Sequence, residues 1–314
     1  MTRLLETRNL SKLYPSRDGK TIVRAVNGVS FELAQGKTLG IVGESGCGKS
    51  TLARLILCLV KPTAGEVLFN GENLLTLSQQ AMRQRRREIQ IVFQDPYASL
   101  DPRMSISAII SEPLDIHSIG TSADRKAKVF ELLDLVGLGS DAAMKYPHEF
   151  SGGQRQRIGI ARAIALEPKL VVLDEPVSAL DISIQSQILN LLIDLKKRLN
   201  LSYIFISHDL SVVEHVSDDV AVMYLGSIVE YGSAEEVLNT PLHPYTQALV
   251  SAIPEMDIAK KKQRIVLSGD PPNPEYIPSG CPFHPRCQHA MAICGVTLPE
   301  LRVTKERKIA CHLY

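Results

Sequence analysis

An eight-residue segment at positions 43–50 constrains the fold of this chain more than any other feature. Its sequence, GESGCGKS, fits the pattern G-x-x-x-x-G-K-[ST], in which glycines let backbone N–H groups turn inward around phosphate oxygens. The pattern forms a phosphate site where a strand precedes it and a helix follows it. Residues 38–42 have the apolar pattern of a buried strand, and residues 52–59 continue as an apolar helical run. We therefore predict a phosphate-binding loop in an α/β fold; a glycine-rich turn without a ligand is the alternative.

The residues of this loop have separate expected roles. Lys49 can reach the β- and γ-phosphates of a nucleotide, and the Ser50 hydroxyl can bind Mg²⁺. Cys47 lies inside the loop, and we interpret its side chain as a small filler and not as a redox group. The residues predicted to contact the nucleotide here are Gly43, Ser45, Gly46, Cys47, Gly48, Lys49, Ser50 and Thr51.

A second apolar strand pattern, at 170–173, ends in two carboxylates, Asp174 and Glu175. Asp174 is placed to support Mg²⁺, directly or through water, and Glu175 can point at an attacking water as a general base. A solvent-facing strand end without a chemical role is the alternative. The intact phosphate loop in the same chain favours the magnesium site.

Apolar runs alternate with helical patterns up to about residue 240, as in an α/β sheet. The predicted strands lie at 38–42, 89–93, 170–173 and 203–206, followed by a hairpin at 220–231 that turns at Gly226 and Ser227. Apolar periodicity predicts one helix from a Ser122 cap to a Gly137 stop, and another over about 183–199. The mostly helical stretch from about 100 to 165 predicts an inserted helical subdomain.

Charge and hydropathy exclude several kinds of protein. Lys and Arg together number 35 against 34 Asp and Glu, so the net charge of +1 gives no electrostatic case for nucleic acid as a partner. We interpret the basic run at 83–87 as a solvated helix face. No apolar run approaches the roughly 20 residues of a membrane helix, and the N-terminus has no signal-peptide pattern. We therefore expect a soluble cytoplasmic chain that works at a membrane only by docking onto other proteins' helices.

Composition changes near residue 240, where we predict a boundary between a nucleotide-binding domain, 1–240, and a C-terminal extension, 241–314. Ten of the 18 prolines fall between Pro241 and Pro299. Four cysteines crowd the extension with the spacing C-x5-C-x6-C-x16-C: Cys281, Cys287, Cys294 and Cys311. The close cysteine pair of most zinc sites is missing. An iron–sulfur cluster, zinc, and free thiols or disulfides remain the alternatives at this point.

Residues 150–157, FSGGQRQR, closely resemble the LSGGQ signature of the ABC ATPases, with Phe in the first position. Gln94 follows one predicted strand and His208 ends another, while 178–181, SALD, follows the acidic pair. Their order and spacing are similar to the Q-loop, the switch histidine and the D-loop of that family. The resemblance covers about residues 3–240.

This resemblance implies a P-loop ABC ATPase core, an α/β mixed sheet with a RecA-like subdomain, the inserted helical subdomain and a small C-terminal Cys-rich extension. It also implies that ATP with Mg²⁺ is held between two protomers. Ser151 is a natural N-cap, and the positive end of its helix would face the γ-phosphate on the other subunit. Because neither half-site is complete alone, hydrolysis is expected to need the dimer.

By the same resemblance, Gln94 senses Mg²⁺ and the attacking water, and His208 contacts the γ-phosphate. Tyr14 would stack on adenine; an exposed loop tyrosine is the alternative. The expected catalytic residues are thus Glu175, His208 and Gln94, and the expected magnesium ligands are Ser50, Gln94 and Asp174. The signature and D-loop residues expected on the nucleotide are Ser151, Gly152, Gly153, Gln154 and Asp181.

Three further segments resemble ATP-binding subunits of dipeptide and oligopeptide importers: 94–104, 243–249 and 280–287. This resemblance implies a complex of two related ATPases, two membrane permeases and an external peptide-binding protein, at the cytoplasmic face of the inner membrane. Nickel and glutathione importers share much of the pattern. Relatives with similar cysteine spacing carry a [4Fe-4S] cluster, which favours that alternative here. A permease helix would rest near 96–113, unless this stretch only links subdomains.

Two other functions remain as rivals. A soluble ABC protein of DNA repair or translation would usually carry coiled-coil or zinc-finger insertions or tandem cassettes, which 314 residues do not contain. A catalytically inactive regulatory module is disfavoured because Glu175 and His208 are both present.

Overall fold

The computed structural model describes residues 2–16, 19–253, 264–304 and 306–314. The strands in chain order are β1 Arg3–Pro15, β2 Ile22–Ala34, β3 Thr38–Val42, β4 Ala64–Phe69, β5 Glu72–Asn73, β6 Ile89–Val92, β7 Leu170–Asp174, β8 Ser202–Ser207, β9 Asp219–Tyr224, β10 Ser227–Ser233, β11 Arg302–Thr304 and β12 Arg307–Ile309. The α-helices are α1 Lys49–Ile56, α2 Gln79–Glu88, α3 Ile106–Ile116, α4 Ser122–Leu135, α5 Gly152–Ile164, α6 Ile182–Leu199, α7 Leu210–Val216, α8 Ala234–Asn239 and α9 Pro244–Ser251.

The chain forms two compact units, one of Met1–Leu75 with Ser207–Tyr314 and one of Thr76–Ile206. The first unit contains an antiparallel sheet in the order β2-β1-β4-β5. It also contains β3, which pairs in parallel with β9, and the antiparallel ladder β9-β10-β12-β11. The mixed α/β class predicted from the sequence is confirmed, whereas a separate Cys-rich extension beyond residue 240 stays a prediction.

The predicted hairpin is confirmed, but its turn lies one residue earlier. Leu225 and Gly226 connect β9 to β10 with φ angles of 44° and 83°. Two consecutive residues with positive φ suit the right-handed twist of paired strands, and this is the usual reason for glycine in such a turn. Ser227 is already the first residue of β10 and pairs with Tyr224.

The second unit contains β6, β7 and β8 as neighbouring parallel strands. All five residues of β7 are buried, as the unbroken apolar pattern predicted for a strand covered on both faces. Helix α4 begins one residue earlier than predicted. Its cap is Thr121, not Ser122, because Thr121 and Asp124 exchange hydrogen bonds in a capping box.

Within the described parts of the chain, no helix has the length and apolar character that crossing a membrane requires.

A buried ion pair between Arg307 and Glu230 joins the C-terminal hairpin, formed by β11 and β12, to the rest of the first unit. Glu230 of β10 is fully buried and accepts hydrogen bonds from the backbone N–H groups of Leu242 and His243, at 2.9 and 3.0 Å. The Arg307 guanidinium of β12 donates to the same carboxylate at 3.2 Å and to the Thr240 carbonyl at 2.7 Å. These bonds connect β10, β12 and the loop before α9.

Replacing Arg307 with Met should therefore destabilise the protein strongly. The change leaves the buried Glu230 carboxylate without its counter-charge, and removing one partner of such a pair typically costs about 3–5 kcal/mol. Urea denaturation should show this loss in the free energy of unfolding. The matched control is Arg302→Met, whose pair with Glu300 is 71 % and 77 % exposed and should contribute about 0–1 kcal/mol. Equal stability of the two variants would contradict the prediction.

Candidate nucleotide-binding site

The segment between β3 and α1 has the backbone of a phosphate-binding loop. Gly43, Gly46 and Gly48 have φ angles of 154°, 78° and 106°, which side-chain-bearing residues rarely adopt. Gly48 is the N-cap of α1, and a Cβ there would collide with the Ala25 carbonyl. The glycines therefore leave open a backbone cradle at a helix N-terminus, which fits a nucleotide phosphate.

The Lys49 side chain folds back over the loop and contacts its first two residues. Its ammonium donates to the carbonyl oxygens of Gly43 at 2.7 Å and Glu44 at 3.0 Å. The residue is 5 % exposed, so its charge is concentrated inside the loop. Ser50 and Thr51 follow in the first turn of α1. This arrangement suits the binding of a triphosphate and of the Mg²⁺ that accompanies it.

The Cys47 side chain is buried in the same loop, in agreement with its interpretation as a filler. Burial raises the pKa of the Cys47 thiol, so the neutral form is favoured. The Cys47 carbonyl accepts a hydrogen bond from the Gly226 N–H at 2.9 Å. The β9–β10 turn is therefore hydrogen-bonded to the phosphate loop and helps to hold its backbone in place.

Two further predicted residues belong to this first unit. Tyr14 lies near the end of β1, and the Lys12 ammonium is 4.9 Å from the centroid of its ring. His208 is exposed directly after β8, next to Asp209, which caps α7. Their roles toward adenine and the γ-phosphate stay predictions.

In the second unit, Gln94 and Glu175 are brought together. Gln94 follows β6 and Glu175 follows β7, so both lie at the carboxyl ends of paired parallel strands. The Gln94 side-chain amide donates to the Glu175 carboxylate at 2.8 Å. Glu175 has a φ of 49°, an uncommon angle for a residue with a side chain, and its N–H donates to the Ile206 carbonyl at 3.0 Å. Asp174, the last residue of β7, is 8 % exposed.

The signature segment forms the start of α5 as predicted. Ser151 is the N-cap, and it exchanges hydrogen bonds with Gln154 in a capping box. The Gln154 side-chain oxygen is thereby committed to the Ser151 N–H. A Cβ on Gly153 would collide with the Ile184 side chain of α6, so glycine is required there for close packing. Asp181 is the N-cap of α6, and the side chain of its neighbour Leu180 lies beside Gly152.

Sequence reasoning missed two contacts that tie the segment after Gln94 to α5. The Arg155 guanidinium lies 3.9 Å from the centroid of the Tyr97 ring, and Arg162 donates to the Ser99 carbonyl at 2.7 Å. The arginines in the sequence QRQRIGIARA at 154–163 were the available signal, but the sequence does not show which groups they contact. It also missed Arg286 and Tyr245, which contact the phosphate loop.

The prediction of an iron–sulfur cluster on Cys281, Cys287, Cys294 and Cys311 was wrong. The described residues include all four, yet they contain no group of three or more His, Cys, Asp or Glu side chains that could hold a metal ion. Burial raises the pKa of Cys281 to about 11 and also raises those of Cys287 and Cys311. Burial therefore favours the neutral thiols of these three cysteines.

Comparisons with known proteins agree with this site. The family model described as "ABC transporter" matches residues 26–178, and the model "Oligopeptide/dipeptide transporter, C-terminal region" matches residues 229–294. The chain is 52 % identical over 320 residues to the oligopeptide transport ATP-binding protein AppF of Bacillus subtilis strain 168, covering 99 % of this chain and 97 % of AppF. It is 49 % identical over 312 residues to the dipeptide transport ATP-binding protein DppF of Escherichia coli K12, covering 98 % and 93 %.

Among solved structures, the dimeric post-hydrolysis state of the ATP-binding cassette MJ0796 bound to ADP and Pi is similar. Its TM-score is 0.67 at 29 % sequence identity, covering 74 % of this chain and 99 % of that one. CbiO1 of Clostridium perfringens, part of the ABC transporter complex cbiONQ, matches with the same TM-score and covers 76 % and 92 %. The chain therefore belongs to the ABC transporter family of ATPases, among its oligopeptide/dipeptide transport ATP-binding subunits.

Proposed function

We propose that this chain hydrolyses ATP to power the import of dipeptides or oligopeptides through a membrane transporter. The observation that carries the proposal is the combination, in one chain, of the phosphate loop with a C-terminal match to the oligopeptide/dipeptide transporter region. The relatives that match over nearly the whole chain carry peptide transport in their names.

In this proposal, water attacks the γ-phosphorus of ATP, the bond to the β-phosphate oxygen breaks, and ADP and phosphate leave; Mg²⁺ would neutralise charge on the phosphates. Lys49 and the amides at the start of α1 would bind the phosphates, while Ser50, Asp174 and Gln94 would hold the magnesium ion. Glu175 accepts the proton of the attacking water. The support for Glu175 is its hydrogen bond from Gln94, which orients the carboxylate at a strand end.

The signature residues act on the nucleotide of a second subunit. Ser151 is exposed and caps α5, so the positive end of this helix is open to an anion supplied by another chain. We infer that the partner is a second ABC ATPase, a paralogue in a heterodimer, and that two permeases complete the membrane part. An extracytoplasmic peptide-binding protein would act indirectly, and this chain would lie at the cytoplasmic face of the membrane.

The segment after Gln94 is the proposed contact with a permease. Tyr97 is 60 % exposed, yet its ring is held by Arg155 of the signature helix. Arg162 of the same helix binds the Ser99 carbonyl. A permease helix resting near 96–113 would therefore contact a segment that moves together with α5, which offers a route from nucleotide-driven closure to the membrane part.

Replacing Glu175 with Gln should slow ATP hydrolysis of the assembled complex about 10²–10⁴-fold while nucleotide binding remains, because the amide cannot accept the proton. Phosphate release by the purified complex measures this, with the partner subunit's site disabled. The matched control is Glu167→Gln, an exposed carboxylate of the same unit that pairs with Lys128. Unchanged hydrolysis in the Glu175 variant would remove Glu175 as the base.

The substrate class should be visible in uptake by cells that lack this chain. The wild-type chain should restore uptake of a labelled dipeptide or oligopeptide, and Glu175→Gln should not. Labelled glutathione and nickel are tested in parallel. Restoration of only one of these two would replace the peptide assignment, whereas hydrolysis without any membrane uptake would favour a soluble ABC ATPase.

A further inference from the structure

Three aromatic side chains form a buried cluster in the first unit, next to the phosphate loop. Tyr224 ends β9, Tyr245 lies in α9, and Phe283 lies in the C-terminal segment; each is at most 2 % exposed. Their ring centroids are 4.7, 5.3 and 5.5 Å apart, in tilted and edge-on arrangements that aromatic pairs favour. Two polar groups, one beside this aromatic cluster and one within it, contact Glu44, the second residue of the loop.

The first of these groups is the Arg286 guanidinium, which is 6 % exposed. Its two terminal nitrogens donate to the two Glu44 carboxylate oxygens at 2.8 and 2.9 Å, a fork that fixes the carboxylate in one orientation. The guanidinium also lies 6.0 Å from the centroid of the Tyr224 ring. The backbone of Arg286 is fixed in turn, because its N–H donates to the Phe283 carbonyl at 3.0 Å.

The second group is the Tyr245 hydroxyl. It accepts a hydrogen bond from the Glu44 backbone N–H at 2.9 Å. The Glu44 carbonyl, in turn, accepts from the Lys49 ammonium at 3.0 Å. Glu44 is thus held by its carboxylate, its N–H and its carbonyl, and it connects residues 245 and 286 to the lysine of the phosphate loop.

The segment that contains Arg286 is itself anchored. Gly280 has a φ of 68°, and a Cβ there would collide with the backbone of Cys294 and Val296. The Cys281 N–H donates to the Cys294 carbonyl at 2.8 Å. Arg286 therefore acts on the loop from a packed support and not from a free tail.

We propose that Arg286 and Tyr245 are positioning residues for the phosphate-binding loop. By fixing Glu44 they hold the first half of the loop, and through it Lys49, in the geometry that receives the triphosphate. The C-terminal region is then part of the nucleotide site of its own subunit. The physical reason is preorganisation: a loop already ordered before binding loses less conformational entropy when ATP arrives. The inference rests on the proposed binding of MgATP at this loop.

The test measures the Kd of MgATP for the full-length chain by calorimetry. Arg286→Met, Glu44→Gln and Tyr245→Phe should each raise the Kd about 2- to 30-fold, the range typical of residues that act through a network. Arg286→Met combined with Glu44→Gln should be no worse than the weaker-binding single variant, because both remove the same fork. Arg286→Lys, which keeps the charge but not the fork, should bind with intermediate affinity.

The matched control is Arg302→Met, which removes an exposed arginine of the same C-terminal region and should leave the Kd unchanged. A melting curve for each variant separates the two kinds of effect, since a merely structural role would lower Tm without raising the Kd. If Arg286→Met does not fold, Tyr245→Phe and Glu44→Gln decide the question.

Binding within twofold of wild type in the folded variants, or additive effects of Arg286→Met and Glu44→Gln, would overturn the inference and leave the ATPase assignment intact. Failure of the wild-type chain itself to bind MgATP would instead refute the proposed function.

Discussion

The nucleotide site depends on one electrostatic arrangement, the Lys49 ammonium held inside its own loop by the carbonyl oxygens of Gly43 and Glu44. A buried ammonium needs such partners, because removing a charge from water is costly unless acceptors replace the lost hydration. Glycines make the arrangement possible, since a Cβ at Gly43 or Gly48 would meet a neighbouring backbone carbonyl. The cation and the adjacent helix N-terminus then present a concentrated positive field to phosphate.

Two ion pairs with a buried arginine connect the C-terminal residues to this arrangement. Arg307 with Glu230 attaches the last hairpin to β10, and Arg286 with Glu44 reaches the phosphate loop itself. A buried pair is weak evidence for stability, because desolvation offsets much of the attraction. Its geometry is nevertheless demanding, and a fork between guanidinium and carboxylate specifies orientation. We therefore infer that these pairs mainly fix the positions of the groups they join. The pair of Arg286 and Glu44 fixes a residue of the phosphate loop, which a preorganised loop requires.

Much of the site could be predicted because its residues are close in sequence. The phosphate loop, the Ser151 cap and the strand that ends at Asp174 are each local patterns, and the structure forms each of them. The cysteine spacing misled because a spacing in the sequence does not show whether the four side chains meet in the fold. Four cysteines within about thirty residues make a metal site only if their side chains converge, and the described residues contain no group of three or more His, Cys, Asp or Glu that could hold a metal ion.

The sequence by itself determined the mixed α/β class, the phosphate loop and the family, because glycine positions, apolar periodicity and signature motifs act over a few residues. Only the tertiary structure decided that Gln94 bonds to Glu175, that Glu175 adopts a left-handed backbone, and that Arg286 holds Glu44. Gln94 and Glu175 are 81 positions apart, and Arg286 and Glu44 are 242 apart. No local preference of the chain records such a pairing, because it exists only once strands and packed aromatic rings have brought the partners together.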